Sequence, residues 1–348
     1  MIRHNLARAA LFILAVVALL GCSVERPPET LHHLAFHPDG QKVIFSYGVT
    51  NEEVRLAQVD VASEQITYFP KYKIGADDLY WSDPAYSPDG SKIAFEIGET
   101  SGNSHIAIMD ASGLNAAKVT SETGVRSRPS FSPDGNKLVY FKGRQRKSGA
   151  TRASSFKITE FDLATGEETA VGDFSFWIAY SVNYAGNADN FIFSGEGILP
   201  DDLDILKKTG IHAYRDKYRA NNIFRLDRKF VTHENLIPII QQGHSTLSRD
   251  VSEDGRTILF LGSISYYDEK LKGNNGGRDM FVLRDKAVTR VSEFYKATHG
   301  AISRDGTRVA FTGPRVKSKG YGDKTIWIVN SDGSNSRELS LNLKAPKN

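Results

Sequence analysis

Six polar or charged residues occupy one equivalent position in a repeated sequence unit, and they are the residues best suited to chemistry. Each lies six residues before the aspartate, or in one copy the asparagine, of a recurring turn: His33, Asp83, Arg128, Ser181, Ser248 and His299. If the units close into a ring, these positions form a belt around its axis, and the units of His299, His33 and Asp83 become neighbours. Two imidazoles and a carboxylate are typical ligands of a transition metal, and Arg128 suits recognition of a carboxylate.

The alternative interpretation of the belt is a polar channel rim filled with water, and we favour it over a metal site at His33, Asp83 and His299. We therefore expect no cofactor. The chain contains no Gly-x-Ser-x-Gly nucleophile elbow and no His-Glu-x-x-His zinc motif. These absences favour a non-catalytic protein, and an enzyme that uses the belt is the alternative.

The belt is defined by a turn motif that recurs along the chain. The five clear copies end in Pro-Asp-Gly or a close variant, with turn aspartates at Asp39, Asp89, Asp134, Asp254 and Asp305. A degenerate sixth copy contains Asn187. Proline presets φ at the second position of a type I turn, and glycine accepts the positive φ that follows. We therefore interpret these aspartates as turn formers at hairpins rather than as metal ligands.

Each turn is followed by an apolar strand and then by a second hairpin with alternating apolar residues. Two hairpins make a four-stranded antiparallel sheet, and a repeat of about 40–50 residues with four strands is typical of a propeller blade. The turns are separated by 50, 45, 53, 67 and 51 residues. The sequence therefore predicts an all-β fold, a six-bladed β-propeller over residues 31–342, followed by a C-terminal tail at 343–348.

The Ser-Pro-Asp-Gly signature resembles that of the TolB-like propeller family. The resemblance extends over about nine tenths of the chain, and it implies the fold while saying little about the ligand. The family's namesake carries an additional α/β domain ahead of its propeller. Here we expect the propeller to start within about ten residues of Cys22, without such a domain.

The N-terminal segment has the features of an export signal. Arg3 and Arg8 precede an unbroken apolar run of twelve residues from Ala9 to Leu20. This run is shorter than the roughly 20 residues that span a bilayer. It ends in Leu-Leu-Gly-Cys22, which contains the only cysteine of the chain and resembles the lipobox of bacterial lipoproteins, although Leu20 is larger than the usual residue. A plain secretory signal is the alternative.

The lipobox resemblance implies removal of residues 1–21, acylation of Cys22 with palmitate-type chains, and a tether over residues 22–30. Ser23 stands where an aspartate would retain such a lipoprotein in the inner membrane. The resemblance therefore implies an outer-membrane protein that faces the periplasm and contacts the membrane through its lipid only. The remaining chain has 42 basic and 41 acidic side chains, obtained by subtracting Arg3 and Arg8 from 44. This balance excludes a typical nucleic-acid binder.

Two basic insertions and several loop aromatics are further candidates for binding. The insertions fall in blades 3 and 6, which lie opposite each other in a ring of six, and their cations are Arg144, Arg146, Lys147, Arg152, Arg315, Lys317 and Lys319. They predict two positive lobes for an anionic partner, with ordinary solvated loops as the alternative. Trp81, Trp177 and Tyr180 lie before blades 2 and 4, where they either form a stacking surface or fill the contacts between blades.

These features together predict a monomeric, membrane-anchored scaffold. We expect it to recognise an envelope protein, peptidoglycan or another glycan through the face that carries the long loops. The alternative is a propeller lyase or hydrolase that acts on a glycan with a metal or polar site at the channel mouth.

Overall fold

The computed structural model describes residues 30–48, 54–70, 74–75, 78–145, 154–172, 175–198, 222–228, 233–236, 247–263, 277–294, 296–315, 324–341 and 343 of the 348-residue chain. The predictions made for Cys22, Arg146, Lys147, Arg152, Lys317 and Lys319 fall outside these residues, as do the side chains of Trp177 and Ser248. Within the described part of the chain, no helix has the length and apolar character needed to cross a membrane.

The described residues form six blades of four consecutive antiparallel strands. Blades 1 and 2 contain β1 (Thr30–Phe36), β2 (Lys42–Gly48), β3 (Val54–Asp60), β4 (Ile66–Tyr68), β5 (Asp78–Tyr86), β6 (Lys92–Glu99), β7 (Ser104–Asp110) and β8 (Ala117–Lys118). Blades 3 and 4 contain β9 (Val125–Phe131), β10 (Lys137–Arg144), β11 (Ser154–Asp162), β12 (Glu168–Ala170), β13 (Phe176–Tyr184), β14 (Asn190–Ile198), β15 (Asn222–Asp227) and β16 (His233–Asn235). Blades 5 and 6 contain β17 (Leu247–Val251), β18 (Thr257–Ser263), β19 (Arg278–Arg284), β20 (Ala287–Arg290), β21 (Gly300–Ile302), β22 (Arg308–Pro314), β23 (Lys324–Asn330) and β24 (Arg337–Glu338).

The six blades form a closed ring around their first strands. Neighbouring first strands are in contact all the way round, including β1 with β21. Blades 3 and 4 are further joined by the pair Phe156 and Phe176, so that they form one eight-stranded sheet. Among the described strands, none is exchanged between the first blade and the last. These observations confirm the predicted six-bladed β-propeller.

The repeated turns have the predicted role. In blade 2, Asp89 Oδ1 accepts the backbone N–H of Ser91 at 3.0 Å and the hydroxyl of Ser87 at 2.6 Å. These hydrogen bonds, that of Ser87 first, lower the pKa of Asp89 to about 2. Gly90 follows with φ of 73°. The turn aspartates of the other clear copies accept equivalent backbone bonds. The aspartates are thus held by their own turns, at what we call the turn face of the disc.

The opposite side of the disc, which we call the loop-rich face, carries the connections between blades and between second and third strands. The core lies between the blades, where each second strand contributes at least one fully buried aromatic residue, among them Phe45, Phe95, Tyr140, Phe193, Phe260 and Phe311. Trp81 belongs to this core, because it is 1% exposed and packs against Phe95 with ring centroids 4.7 Å apart. The structure therefore places Trp81 in a contact between blades and not on a stacking surface.

Candidate functional site

The first strands of the six blades enclose a central cavity of about 220 Å³. Five of the six predicted belt residues line it: His33, Asp83, Arg128, Ser181 and His299. In blade 5 the cavity is lined by Arg249, the residue after the predicted Ser248. The cavity runs from the belt to the turn face, where exposed Glu253 and Arg304 line its mouth. The belt thus forms the inner end of a cavity that opens at the turn face.

Backbone irregularities turn the belt side chains into the channel. The pairing register shifts at His33, at Asp83 and at Arg128, and these three residues have φ of 38°, 50° and 54°. A bulge of this kind re-aims a side chain, and a non-glycine residue in this region costs roughly 1–3 kcal/mol. The same strained conformation at one position of three consecutive blades is a recurring local feature of the channel wall. In blade 5 the register shift falls between Ser248 and Asp250, which places Arg249 in the bulge.

The belt side chains form one cluster. Asp83 Oδ1 lies 3.2 Å from His33 Nδ1, without the alignment of a hydrogen bond, and 3.5 Å from Arg128 Nε. Arg128 also donates a hydrogen bond to the carbonyl oxygen of Tyr180. On the other side, the His33 and His299 rings are 4.7 Å apart, edge to face. The cluster extends to His32, a residue that the sequence did not single out.

Burial sets the protonation of the three histidines. It lowers the pKa of His33 well below the ordinary value and also lowers those of His299 and His32, with nearby arginines or Lys324 adding to the effect. All three imidazoles are therefore neutral near pH 7. His32 Nδ1 and His299 Nε2 are 3.3 Å apart, which is a hydrogen bond between a donor and an acceptor nitrogen. These histidines add no positive charge to the belt.

Two carboxyl groups near the belt have raised pKa values. Burial, followed by the charge of Asp83, raises the pKa of Glu96 well above its ordinary value, and Tyr80 donates its hydroxyl to Glu96 Oε1 at 2.9 Å. Burial also raises the pKa of Asp250 to about 7, although its carboxyl accepts the backbone N–H groups of Val251 and Ile302. Both environments favour the neutral carboxyl and remove negative charge from the channel wall.

Arg249 carries a charge that the described surroundings compensate only in part, through the carboxylate of Asp83. Its Nε is buried and has no hydrogen-bond acceptor among the described residues. Burial, followed by the neighbouring charges of Arg128 and Arg278, lowers the pKa of Arg249 to about 9. The guanidinium is nevertheless charged at neutral pH. Two guanidinium groups and the single carboxylate of Asp83 leave the belt with an excess of positive charge, which is suited to bind an anionic group.

A metal ion is a poorer fit to this cluster. Within the described ranges, no group of three or more histidine, cysteine, aspartate or glutamate side chains is placed to hold a metal ion. His32 and His299 use one ring nitrogen each on the other. The metal alternative at His33, Asp83 and His299 therefore gains no support from the geometry, although the three side chains do lie together.

Three of the remaining candidates, Arg144, Arg315 and Tyr180, are not among the residues that line the cavity. Arg144 is exposed at the end of β10, as a basic lobe requires. Arg315 instead donates a hydrogen bond to the carbonyl oxygen of Leu341 at 2.7 Å, so that its guanidinium contacts the chain itself. Tyr180 is partly buried and packs against the core between blades 5 and 6, and Trp177 contributes its backbone to β13.

The fold and the cavity together define a class, the six-bladed β-propellers with polar groups in a central channel. TolB from Acinetobacter baumannii has the same fold, with a TM-score of 0.56 and 17% identity over 88% of this chain and 62% of TolB. This chain thus spans less than two thirds of that protein. An oligogalacturonate lyase in complex with manganese gives a TM-score of 0.54 with 16% identity, over 91% of this chain and 80% of the lyase.

A third structure of this kind is the acylaminoacyl peptidase of Pyrococcus horikoshii, with a TM-score of 0.53 and 16% identity, over 89% of this chain and 46% of the peptidase. No protein-family model and no curated protein matches the sequence. At these identities the similarity establishes the fold, a TolB-like six-bladed propeller. The lyase and the peptidase are named for different activities, so the function must be argued from the site.

Proposed function

We propose that this chain is an exported, membrane-anchored binding protein whose propeller channel recognises the anionic group of a ligand in the cell envelope. The observation that carries the proposal is the guanidinium of Arg249, buried at the inner end of the cavity with no acceptor for its Nε among the described residues. A buried N–H donor without an acceptor is costly, and an anion bound between Arg249 and Arg128 would supply the acceptor.

The charge of the cavity supports an anionic ligand. Both arginines line the cavity, the histidines are held neutral, and the Glu96 and Asp250 carboxyl groups are shifted towards their neutral forms. A carboxylate can accept two parallel hydrogen bonds from one guanidinium, which gives both affinity and orientation. A scaffold of this kind needs no catalytic group, in agreement with the absence of hydrolase motifs from the sequence.

The fold also relates the cavity to the proposed anchor. β1 begins at Thr30 on the loop-rich face, whereas the cavity opens at the turn face. Residues 22–30 reach at most about 29 Å, at roughly 3.6 Å per residue. With Cys22 acylated, the loop-rich face is therefore held near the membrane and the cavity mouth faces away from it. We propose that the protein presents its cavity to the periplasm from the outer membrane.

Glutarate, a simple dicarboxylate, tests the proposal on the protein from residue 23 onwards. At constant ionic strength glutarate should raise the melting temperature of the wild type, because a ligand at 100 times its Kd stabilises the fold by about 2.7 kcal/mol. Arg249→Gln should abolish this increase and leave the ligand-free protein at least as stable. Arg256→Gln is the matched control, because Arg256 is exposed and pairs with exposed Asp285. Equal increases in all three proteins would contradict the proposal.

A propeller enzyme is the second candidate, and the placement of His33 beside Asp83 in the cavity favours it. In such a pair the histidine can act as a general base. Titration with Mn²⁺ separates the two candidates, because stoichiometric binding that is lost in His33→Ala and His299→Ala would support a metal-dependent lyase.

A further inference from the structure

The cavity has two chemically different zones. Its inner end is the charged belt, whereas the wall between the belt and the turn face is largely apolar. This wall is formed by residues that follow the belt in the first strands, and its partly exposed apolar members include Ala35, Ala85 and Val251. From His33 to Phe36 the wall extends about 10 Å, at roughly 3.3 Å per strand residue. When the anionic group of a ligand contacts the arginines, the adjoining atoms of that ligand must lie against this apolar wall.

Several polar residues also line this part of the cavity, among them Ser130, Asp250 and Asn183. Asn183 lines the cavity from β13, two residues after the belt position Ser181. Its Nδ2 is buried and has no hydrogen-bond acceptor among the described residues. A buried donor without an acceptor costs roughly 1–3 kcal/mol. Asn183 therefore offers a hydrogen bond to a ligand carbonyl just outside the anion site.

The mouth of the cavity is narrowed by a side chain that links three blades. Arg304 of blade 6 donates from Nε to Glu253 of blade 5 at 2.6 Å and from Nη1 to the carbonyl oxygen of Pro88 in blade 2. The cavity volume of about 220 Å³ lies below the roughly 300–1,000 Å³ of pockets for drug-sized ligands. The cavity is therefore suited to a small chain end and not to a folded or branched group.

We propose that the group bound in the channel is the C-terminal residue of a peptide with an apolar last side chain. This inference rests on the proposed function and names its ligand. The terminal carboxylate binds Arg128 and Arg249, the last side chain packs on the apolar wall, and a backbone carbonyl of the peptide accepts from Asn183 Nδ2. An apolar side chain gains about 25 cal/mol for each Å² that it buries.

A sugar acid is a worse match to the same cavity. The hydroxyl groups of a uronate need hydrogen-bond partners, and the apolar part of the wall would leave some of them unsatisfied. A fatty acid would fit the wall and the arginines but would leave Asn183 Nδ2 without its acceptor. The combination of anion site, apolar wall and one amide donor thus favours a peptide end over both.

Calorimetric titration with four small probes tests the inference. Acetyl-Gly-Leu with a free carboxylate should bind at least tenfold more tightly than galacturonate or octanoate, and the same peptide with a C-terminal amide should show no binding. Asn183→Ala should weaken the binding of the peptide with a free carboxylate by about fivefold to tenfold, since a hydrogen bond contributes about 1 kcal/mol. The same variant should bind octanoate as tightly as the wild type does. A circular dichroism melt of Asn183→Ala checks that the variant is folded.

The remaining outcomes distinguish this inference from the proposed function. Tighter binding of galacturonate, or of octanoate, would overturn the peptide assignment, and loss of that binding in Arg249→Gln would still support the anion site. Equal binding of the peptide acid and the peptide amide would overturn the inference, since the carboxylate would then contribute nothing. In that case the glutarate measurement decides whether the anion site itself exists.

Discussion

At the scale of single residues, Asp250 is the carboxyl group whose ionisation has the clearest consequence for folding. Its two oxygens accept the backbone N–H groups of Val251, at 2.8 Å, and of Ile302 in the neighbouring blade, at 3.0 Å. Burial nevertheless raises its pKa to about 7 from an ordinary value of 3.8. Because the folded-state pKa is the higher one, the fold binds a proton here more tightly than the unfolded chain does.

The stability contributed by the neutral form of Asp250 should therefore be complete below pH 4 and be lost as the pH rises through about 7. Asp250→Asn cannot ionise and should not show this loss. Denaturant unfolding from pH 4.5 to 8.5 should show the free energy of unfolding of the variant rising relative to that of the wild type by about 2 kcal/mol. This is less than the full 1.36 kcal/mol for each unit of pKa shift, because the site is partly solvated.

Asp89→Asn is the matched control for this titration. The pKa of Asp89 is lowered, so that its contribution is present above the ordinary value and is lost only as the pH falls towards 2. This variant should be less stable than the wild type at every pH in the range and should show no gain at high pH. Parallel curves for Asp250→Asn and the wild type would refute the assignment to Asp250.

The sequence located most of the belt, and the residues that it missed show the limit of counting positions. Equal spacing from the turn correctly brought His33, Asp83, Arg128 and His299 to one cavity, because the turns and first strands repeat in three dimensions. Arg249 was missed because the bulge of blade 5 falls one residue later than the count assumes. For Trp81 the sequence left two alternatives open, and the structure selects the contact between blades, because an aromatic side chain next to a strand can point into a core as readily as to solvent.

At the scale of the element, the repeated hairpin turns differ in how closely another blade approaches them. Gly255 has φ of +70°, and a Cβ placed there would lie 2.7 Å from the carbonyl carbon of Ala185 in blade 4. Gly166, in the turn between β11 and β12, has φ of +73° and no atom within 4 Å of such a Cβ. The two glycines share one conformation and differ in their surroundings.

Alanine substitutions at these glycines should separate backbone strain from blade packing. Both variants should lose about 1 kcal/mol of stability, because alanine disfavours the left-handed conformation. Gly255→Ala should lose a further 1–3 kcal/mol, because its Cβ overpacks the contact with blade 4. The melting temperature of Gly255→Ala should therefore be clearly below that of Gly166→Ala. Equal melting temperatures would mean that blade 4 moves away from the added Cβ without a loss of stability.

The turn chemistry made the blades predictable, including the degenerate copy. Residues 183–188 lack the Pro-Asp-Gly sequence, yet β13 and β14 pair across that turn as in the other blades. Asn187 Oδ1 accepts the backbone N–H of Asp189 at 2.9 Å, as the turn aspartates do with their own second neighbours. What could not be predicted was the extra pairing of Phe156 with Phe176, because contacts between blades depend on packing and not on the repeat.

At the scale of the whole molecule, the ring is closed by side chains at the seam between blades 6 and 1. Glu64 Oε1 accepts from Arg337 Nη1 at 2.9 Å, and its Oε2 accepts the backbone N–H of Ser340 at 2.9 Å. Arg308 of blade 6 donates to the carbonyl oxygen of Gly40 at 2.7 Å. One continuous cluster of buried apolar residues from both blades, among them Phe45 and Ile326, lies beneath these bonds.

Glu64→Ala should weaken the seam and lower the stability of the whole ring by about 1–3 kcal/mol, because it removes two hydrogen bonds to a charged carboxylate, one from Arg337 and one from the Ser340 amide. The matched control is Asp285→Ala, which removes an exposed ion pair within blade 5 and should cost less than about 1 kcal/mol. Denaturant unfolding followed by tryptophan fluorescence gives both values. Similar losses in the two variants would show that the seam bond contributes no more than an ordinary surface pair.

The contiguity of the blades has a consequence for how the chain could be rearranged. Because each blade uses four consecutive strands, a circular permutant that starts at β5 and ends at β4 would still contain six complete blades. Its new ends would lie between blades 1 and 2, and the former seam would become an ordinary covalent connection. A propeller that shares one blade between its two termini would be cut within a sheet by most such rearrangements, whereas here any boundary between blades is an acceptable starting point.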